Sequence, residues 1–336
     1  MKAIIIDQHH WCDTNNKSAD YSNILMPLLN LPHIMHTLKQ LHAASVTEVI
    51  VLTDAEISAE LNTEMQMDGV VQFHAELSLK QLDKGDDDLL ILPGNVLLDL
   101  NYSQFHKLHK AADGKLSRAI PTAPAIPGNS NYFHPIILNI KGLKGETTDK
   151  NYLSSQALLN VCERHPESQN AFQLINAIYN LNSHRGYWEA HRHLLLSDAK
   201  ADFIPGFPVH ENVWVDINTR VDPSSTTQGF AILGKNCKIH KNVSFKGFVV
   251  IGDNVIIDEA TIIEDSVIRS DTFIGSDLYI QNAVISGNKL YRADYDAVLN
   301  LEDGWLLGST RAKQRIVKSW FQSKGTRDDY WGVNAN

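Results

Sequence analysis

The feature that most constrains this fold is a six-residue repeat that begins near Pro205 and continues to about Gly287. Units such as VDINTR, LGKNCK, IHKNVS and IGDNVI each begin with an aliphatic residue, and polar residues follow. A short fixed period of this kind is typical of a solenoid, in which each unit stacks on the equivalent unit of the next coil. With one flat strand per unit and three units per coil, the repeat predicts a triangular prism of about four coils.

The first residue of each unit is expected inside the prism, and the polar residues between them are expected in water. The predicted inward set is Val215, Val221, Leu233, Ile239, Ile251, Ile257, Ile263, Ile268, Ile274 and Ile280. Gly252 and Gly275 are expected at tight corners. The stretch SSTTQGFAI does not keep the six-residue step, so it is expected to bulge out of the prism.

Residues 1 to about 204 show a different pattern, in which short apolar runs alternate with helical periodicity. The segments KAIII, VTEVIVLT and DDLLILPG read as strands, and Ile34, Leu38 and Leu41 fall on one face of a helix. LSSQALLNVCERH, AFQLINAIYNL and GYWEAHRHLLLS read as further helices, the last with His191 and His193 on its surface. Strands that alternate with helices predict a mostly parallel sheet with helices on both faces.

The sequence therefore predicts three parts: an α/β domain at 1–204, a β-helix at 205–290 and a C-terminal extension at 291–336. The extension contains TRAKQRIVKSWFQ, which reads as an amphipathic helix. Since the open end of a solenoid needs a cap, this helix is expected either to cover that end or to dock on another protein or an anionic membrane surface.

Composition excludes several classes of function. The net charge of −9, without a Lys/Arg-rich run, argues against a nucleic-acid partner. Cys12, Cys162 and Cys237 lie far apart and form neither a disulfide framework nor a zinc motif. No apolar stretch has the length of a signal peptide or a transmembrane segment, so a cytoplasmic protein is expected.

Ligands of parallel α/β sheets bind at the carboxyl ends of the strands. The candidate ligand-binding residues at those ends are Asp7, Gln8, Asp54, Gly94 and Asn95. The loop after Ile6 contains no glycine, although phosphate-binding loops favour glycine so that backbone N–H groups can approach the phosphate. The neighbouring His9 and His10 point apart on an extended loop, so no metal ligands and no catalytic residue are assigned.

Three segments, MPLLNLPHIMHTLKQLHAASVTEVIVLT, DDDLLILPGNVLLDL and GNSNYFHPIILNI, resemble the sugar-1-phosphate nucleotidyltransferases, or nucleotide-sugar pyrophosphorylases. With the hexapeptide repeat included, the resemblance extends to about residue 308. It implies a Rossmann-like nucleotidyltransferase domain followed by a left-handed parallel β-helix. It also implies a reaction in which a nucleoside triphosphate and a sugar 1-phosphate give a nucleotide sugar and pyrophosphate, with Mg²⁺.

The chain departs from this family at the residues that handle phosphate. Its first loop has no glycine, Met26 replaces the expected Lys, and Asn95 replaces the expected metal-binding Asp. The second metal-binding Asp is missing, because Trp188 continues directly into Glu189. Nucleotidyl transfer depends on neutralising phosphate charge, so the resemblance implies impaired catalysis. No cofactor is expected unless the protein is active, in which case Mg²⁺ is required.

Three functions remain open on the sequence. The first is a nucleotidyltransferase-like protein of polysaccharide metabolism that binds a nucleotide sugar or sugar phosphate and acts as a regulator or scaffold. The second is an active nucleotidyltransferase in which Asp7, His9 or His10 and Asn95 hold metal or phosphate. The third is acyl transfer by the β-helix, with His240 or His210 as general base. A homo-oligomer through the β-helix and a polysaccharide-assembly protein are the expected protein partners.

Overall fold

The computed structural model describes residues 1–7, 23–46, 48–53, 71–74, 76–78, 88–112, 116–122, 134–139, 152–154, 170–196 and 204–310. The chain divides into two compact units, Met1–Ala190 and His191–Asn336. The described residues form a mixed α/β structure that is rich in strands. Its helices are α1 (His33–Ala43), α2 (Tyr102–Ala111) and α3 (His184–Leu196), with a 3₁₀ turn at Asn23–Leu25. None of these helices combines the length and hydrophobicity needed to cross a bilayer.

The first unit is built on an eight-stranded sheet with two small two-stranded ladders beside it. Its strands are β1 (Lys2–Ile6), β2 (Pro27–Leu28), β3 (Leu31–Pro32), β4 (Glu48–Leu52), β5 (Val71–His74), β6 (Glu76–Ser78), β7 (Asp88–Pro93), β8 (Val96–Leu100), β9 (Leu116–Pro121), β10 (Ile136–Asn139), β11 (Tyr152–Ser154) and β12 (Asn170–Asn180). The order in the large sheet is β5-β4-β1-β7-β10-β9-β12-β8. Only β8 and β10 run against the other six strands of that sheet, which confirms a mostly parallel arrangement.

Both faces of this sheet are buried. Ala3 and Ile5 belong to a core cluster on one face, and the alternate residues Ile4 and Ile6 are equally inaccessible on the other. The predicted helix face of Ile34, Leu38 and Leu41 packs into the same cluster, and so do Tyr102 and Phe105 of α2. Burial on both faces explains why β1, β4 and β7 are apolar from their second residue onward rather than alternating.

The segment AFQLINAIYNL, predicted as a helix, is strand β12 instead. It pairs with β8 on one side and with β9 on the other, so ladder hydrogen bonds on both edges outweigh the helical spacing of its apolar residues. Aromatic and β-branched residues such as Phe172 and Ile175 suit that position. The segment LSSQALLNVCERH begins within β11, and its residues from 155 onward lie outside the described residues.

The helix predicted at GYWEAHRHLLLS is confirmed as α3, which begins two residues earlier than expected, at His184. His191 is not on its surface, since only 1% of the residue is exposed. It lies one helical turn before Leu195, which is also buried, and both therefore belong to the buried side of the helix. The predicted C-terminal helix lies outside the described residues.

The second unit contains the predicted solenoid. Its strands are β13 (Phe207–His210), β14 (Val213–Val215), β15 (Arg220–Val221), β16 (Thr226–Leu233), β17 (Lys238–Ile239), β18 (Ser244–Ile251), β19 (Ile256–Ile257), β20 (Ile262–Ile268), β21 (Thr272–Ile274), β22 (Tyr279–Gln281), β23 (Ala283–Ser286), β24 (Lys289–Arg292), β25 (Ala297–Asn300) and β26 (Leu307–Ser309). Equivalent residues of successive coils, such as Asn218 and Asn236, lie 18 positions apart. Parallel ladders join the coils, as the six-residue repeat predicts.

Eight of the ten predicted inward residues are buried in the solenoid core. Val215 is half-buried and Val221 is 40% exposed. Val221 lies on β15, which pairs with β17 alone and therefore has no earlier coil against it. The expected bulge at SSTTQGFAI is wrong: β16 stays in register with β18 along all eight residues. Thr227 is exposed, but it pairs with the buried Phe245 and lies six residues from both Val221 and Leu233, so the six-residue step is kept with a polar residue.

The corners of the solenoid use asparagine as well as glycine. A Cβ atom on Gly275 would lie 2.2 Å from the Trp305 carbonyl oxygen, which confirms that glycine as a point of close approach. The left-handed corner positions, however, are occupied by residues such as Asn218, Asn236 and Asn254. Their side chains form a ladder from coil to coil, with Nδ2–Oδ1 distances of 2.7 and 3.2 Å. Asparagine tolerates this conformation better than most residues, which explains its recurrence.

One side of the solenoid departs from the expectation that residues between the inward positions face water. Ile232, Val250, Val267 and Val284 alternate with inward residues on successive coils, yet each is at most 4% exposed. This row of apolar residues is thus excluded from solvent within the chain.

Replacing Gly229 with alanine is expected to destabilise the solenoid by about 3 kcal/mol. Gly229 has φ of +124°, and a Cβ atom there would lie 2.1 Å from the Gly247 carbonyl oxygen of the next coil. Urea denaturation measures the loss of stability. Gly304→Ala is the control, because a Cβ atom there would have no atom within 4 Å apart from its chain neighbours. Equal stability of the two variants would contradict the expected close approach.

Candidate functional site

The candidate site lies at the carboxyl edge of the large sheet in the first unit. Because β1, β4, β7 and β12 run in the same direction, their last residues reach the same edge. The residues that follow them are Asp7, Thr53, Gly94 with Asn95, and Leu181. This is the edge at which open α/β sheets bind their ligands.

Asp7 is held firmly at the end of β1. Its backbone N–H donates to the Leu52 carbonyl at 2.9 Å, and its Oδ2 accepts a hydrogen bond from the Thr53 hydroxyl at 2.8 Å. The residue is only 6% exposed. A carboxylate is therefore fixed where the chain leaves the central strand.

Gly94 and Asn95 form the turn between β7 and β8. The Gly94 N–H donates to the Ile6 carbonyl at 2.7 Å, and a Cβ atom on Gly94 would lie 2.8 Å from that oxygen. Asn95 is fully buried, and its carbonyl accepts from the N–H of Leu181 at 2.9 Å. The turn thus connects the end of β1 to the end of β12.

The start of α1 brings two buried histidines to this edge. Burial, and then the neighbouring His36, lower the pKa of His33 to about 3, whereas Asp7 and a hydrogen bond to the Val96 backbone oppose the shift. Burial also lowers the pKa of His36, whose Nε2 donates to the Leu28 carbonyl at 2.9 Å. Both rings are neutral at physiological pH and bring no positive charge to the edge.

His134 and Arg118 lie on the antiparallel part of the sheet, on β10 and β9 or just before them. Because β10 runs against β9, its first residues meet the carboxyl ends of the parallel strands. Burial and then the charge of Arg118 lower the pKa of His134, and Arg118 pairs across the strands with Ile136, two residues after His134. Arg118 is three residues before the end of β9, and the strand registers place it level with Ile91 and Ile4, so this cation lies along the middle of the sheet and not at its carboxyl edge.

The structure brings three of the five predicted site residues together: Asp7, Gly94 and Asn95. Gln8 and Asp54 lie outside the described residues, as do His9 and His10. His134, and Asn180 and Asn182 just before α3, also lie at this edge and were not predicted. The polar stretch NLNS before a predicted helix is a turn signal in the sequence, but it does not show that the turn lies at the end of a strand.

Within the described residues, no group of three His, Cys, Asp or Glu side chains is arranged to hold a metal ion. The two histidines considered for acyl transfer lie on the solenoid. His210 is exposed on β13, and His240 is half-buried at the corner after β17, where its carbonyl accepts from the Ser225 hydroxyl at 2.9 Å. Among the described residues, no hydrogen bond or ion pair joins either histidine ring to another titratable side chain.

Comparison with known proteins adds one positive finding. The family described as "Bacterial transferase hexapeptide (six repeats)" matches residues 230–265. None of the curated proteins compared with the sequence matches it. Two crystal structures of HddC from Yersinia pseudotuberculosis, one complexed with GMP-PN, share 13% and 12% identity with the chain. Each covers 57% of this chain and 98% of its own length, with a TM-score of 0.42. A structural similarity at this level carries no argument about function. The family match shows that the solenoid repeat is similar to the hexapeptide repeat of bacterial transferases.

Proposed function

We propose that this chain is a nucleotidyltransferase-like protein that binds a nucleotide sugar or a sugar phosphate without nucleotidyl transfer. It would act as a regulator or scaffold of nucleotide-sugar or polysaccharide metabolism. The observation that carries the proposal is the charge of the sheet's carboxyl edge. Among residues 7, 53, 94–95 and 180–183, the only charged side chain is the carboxylate of Asp7.

A nucleoside triphosphate needs several positive charges at its binding site. Enzymes that act on phosphates supply them as Mg²⁺, Lys and Arg directed at the phosphate oxygens. A carboxylate about 4 Å from a phosphate oxygen instead costs about 4 kcal/mol at an effective dielectric constant of 20. The fixed Asp7 therefore opposes triphosphate binding at this edge.

A ligand with fewer charges suits the same residues better. The other side chains at this edge, such as Thr53, Asn95 and Asn180, are neutral and polar. Hydroxyl-rich sugars are bound by neutral amides and hydroxyls, which can both donate and accept hydrogen bonds. This balance favours a sugar phosphate or nucleotide sugar over a magnesium-bound triphosphate.

Assembly of the chain is expected to use the solenoid. Since one row of outward apolar residues is already excluded from solvent within the chain, a homo-oligomer would form through the remaining sides. Sedimentation velocity at several concentrations measures this state. A protein partner from polysaccharide assembly remains part of the proposal.

Thermal unfolding with a ligand panel tests the function. The panel comprises UDP-glucose, GDP-mannose, glucose 1-phosphate, UTP and GTP, each with and without Mg²⁺. A ligand at a hundred times its dissociation constant adds about 2.7 kcal/mol of stability, which raises the unfolding midpoint measurably. We expect a rise with a nucleotide sugar or glucose 1-phosphate that does not need Mg²⁺, and no release of pyrophosphate.

A magnesium-dependent rise with UTP or GTP, together with pyrophosphate release, would establish an active nucleotidyltransferase instead. The variant Asp7→Asn separates the two cases, because it removes the charge and keeps the acceptor for Thr53. We expect it to bind triphosphate more tightly than the wild type. The control is Glu302→Gln, an exposed acid of the second unit that should leave triphosphate binding unchanged.

A further inference from the structure

Three asparagines meet at the carboxyl edge of the large sheet, where the turn after β7 meets the end of β12. We call Asn95, Asn180 and Asn182 the amide cluster. The two loops are joined by the hydrogen bond from the Leu181 N–H to the Asn95 carbonyl. Asn95 is fully buried and Asn180 is 4% exposed. The cluster therefore places neutral amides, rather than carboxylates, at the edge where a ligand of this fold would lie.

The turn that carries Asn182 is held by other groups. The side-chain Oδ1 of Asn180 accepts from the backbone N–H of Asn182 at 3.0 Å, and the Asn180 carbonyl accepts from the Ser183 hydroxyl at 3.1 Å. The Ser183 hydroxyl in turn accepts from the N–H of Gly186 at 2.9 Å and caps α3. None of these bonds uses the side chain of Asn182, so the fold does not need that amide to form the turn.

The amide of Asn182 is nevertheless shut off from water. Both its Oδ1 and its Nδ2 are inaccessible to solvent, and neither has a hydrogen-bond partner among the described parts of the chain. Buried polar atoms in folded proteins are nearly always hydrogen-bonded, because an unbonded buried amide costs stability. The residue as a whole is only half-buried, so rotation of its side chain can bring the amide to the surface. A group that the turn does not use and that has no internal partner is then suited to bond a ligand.

We infer that the Asn182 side chain binds the neutral polar part of the ligand, through one donor and one acceptor. An amide presents an N–H and a carbonyl oxygen side by side, which matches a pair of sugar hydroxyls or the edge of a nucleobase. An uncharged amide also needs no metal ion to bind such a group. This inference rests on the proposed function and names the ligand chemistry that the amide cluster recognises.

Asn182→Leu tests the inference, since leucine has a similar volume and no hydrogen-bonding groups. The unfolding midpoint of the full chain is measured alone and with UDP-glucose, GDP-mannose, UDP, GDP or glucose 1-phosphate. We expect the midpoint without ligand to stay level or rise, and ligand affinity to fall about tenfold. Gln104→Leu, which removes an exposed amide of α2, should change neither quantity.

The pattern across the panel identifies the group that is bound. Weaker binding of glucose 1-phosphate and nucleotide sugars, but not of UDP or GDP, assigns the amide to sugar hydroxyls. Weaker binding of UDP or GDP assigns it to the base. Asn182→Ala provides a second variant with the same expected loss of affinity if the leucine is poorly accommodated.

Two results would overturn this inference and leave the proposed function standing. One is a ligand response in Asn182→Leu and Asn182→Ala equal to that of a responsive wild type. The other is a fall of several degrees in the midpoint without ligand in both variants, which would show that the amide bonds within the fold or to a structural water. A wild type that responds to no member of the panel would overturn the proposed function as well, so the two failures can be told apart.

Discussion

Replacing Phe245 with alanine is expected to lower the free energy of unfolding by about 3–5 kcal/mol. Phe245 is 2% exposed and lies in the solenoid core, with Thr227 and Ile263 at the same position of the preceding and following coils. Parallel ladders hold the backbone on both sides, so the coils cannot close over the space that the ring leaves. The cost therefore includes both the lost burial and the cavity.

The solenoid supplies its own control for this measurement. Thr227→Ala changes the same position one coil earlier, where the side chain is exposed, and is expected to cost less than about 0.5 kcal/mol. Urea denaturation of both variants, followed by hydrogen exchange of the β18 amides, gives the comparison. If the two substitutions had equal effects, Phe245 would not lie in a packed core.

The same two positions show how far the repeat could be read from the sequence. Counting aliphatic residues at the head of each unit predicts the prism and eight of its ten proposed core residues correctly. It omits Phe245, and it treats the stretch around Thr227 as a bulge, because a polar residue interrupts the pattern there. The backbone keeps its step regardless, since ladder hydrogen bonds to the next coil do not depend on the side chain.

The sheet of the first unit was predictable where strands are buried on both faces and bounded by clear turns. β1, β4 and β7 are continuous apolar runs, and the candidate residues Asp7, Gly94 and Asn95 follow from their ends. β12 was predicted as a helix because its spacing of apolar residues fits both periods. Its partners β8 and β9 are distant in sequence, so the pairing that decides its structure leaves no local signal.

The unforeseen part of the candidate site depends on that same pairing. His134 reaches the carboxyl edge because β10 runs against its neighbours, and Asn182 reaches it because β12 ends beside Asn95. None of these positions can be placed at a strand end without the sheet order. His33 was predicted within the helical segment, but its burial and its proximity to Asp7 depend on how α1 packs.

Replacing His33 with glutamine is expected to make the protein less sensitive to acid. His33 is 2% exposed, and burial followed by the neighbouring His36 lowers its pKa from 6.5 to about 3. Between these two values the unfolded chain binds a proton at this site and the folded chain does not. The stability that the neutral ring contributes is therefore present above pH 6.5 and declines as the pH falls toward about 3.

One such group costs about 1.4 kcal/mol for each pH unit below 6.5, which amounts to about 2.7 kcal/mol at pH 4.5. His36, His109 and His134 also have pKa values lowered by burial, and they keep part of the acid sensitivity in the variant. The quantity to compare is thus the loss of unfolding free energy between pH 7 and pH 4.5 in each protein. That loss should be smaller in His33→Gln by about 2–3 kcal/mol.

His42→Gln is the matched control, because His42 lies on the same helix and is exposed. The loss of unfolding free energy between pH 7 and pH 4.5 should be the same in this variant as in the wild type. That result would exclude a general effect of removing a histidine from α1. NMR titration of the His33 ring in the wild type gives an independent reading, with no protonation expected down to about pH 4. A ring that becomes protonated near pH 6, or a variant with the full acid sensitivity of the wild type, would contradict the burial of a neutral His33 beside Asp7. The edge of the sheet would then carry a cation at mildly acidic pH, and the charge argument against triphosphate binding would hold only above that pH.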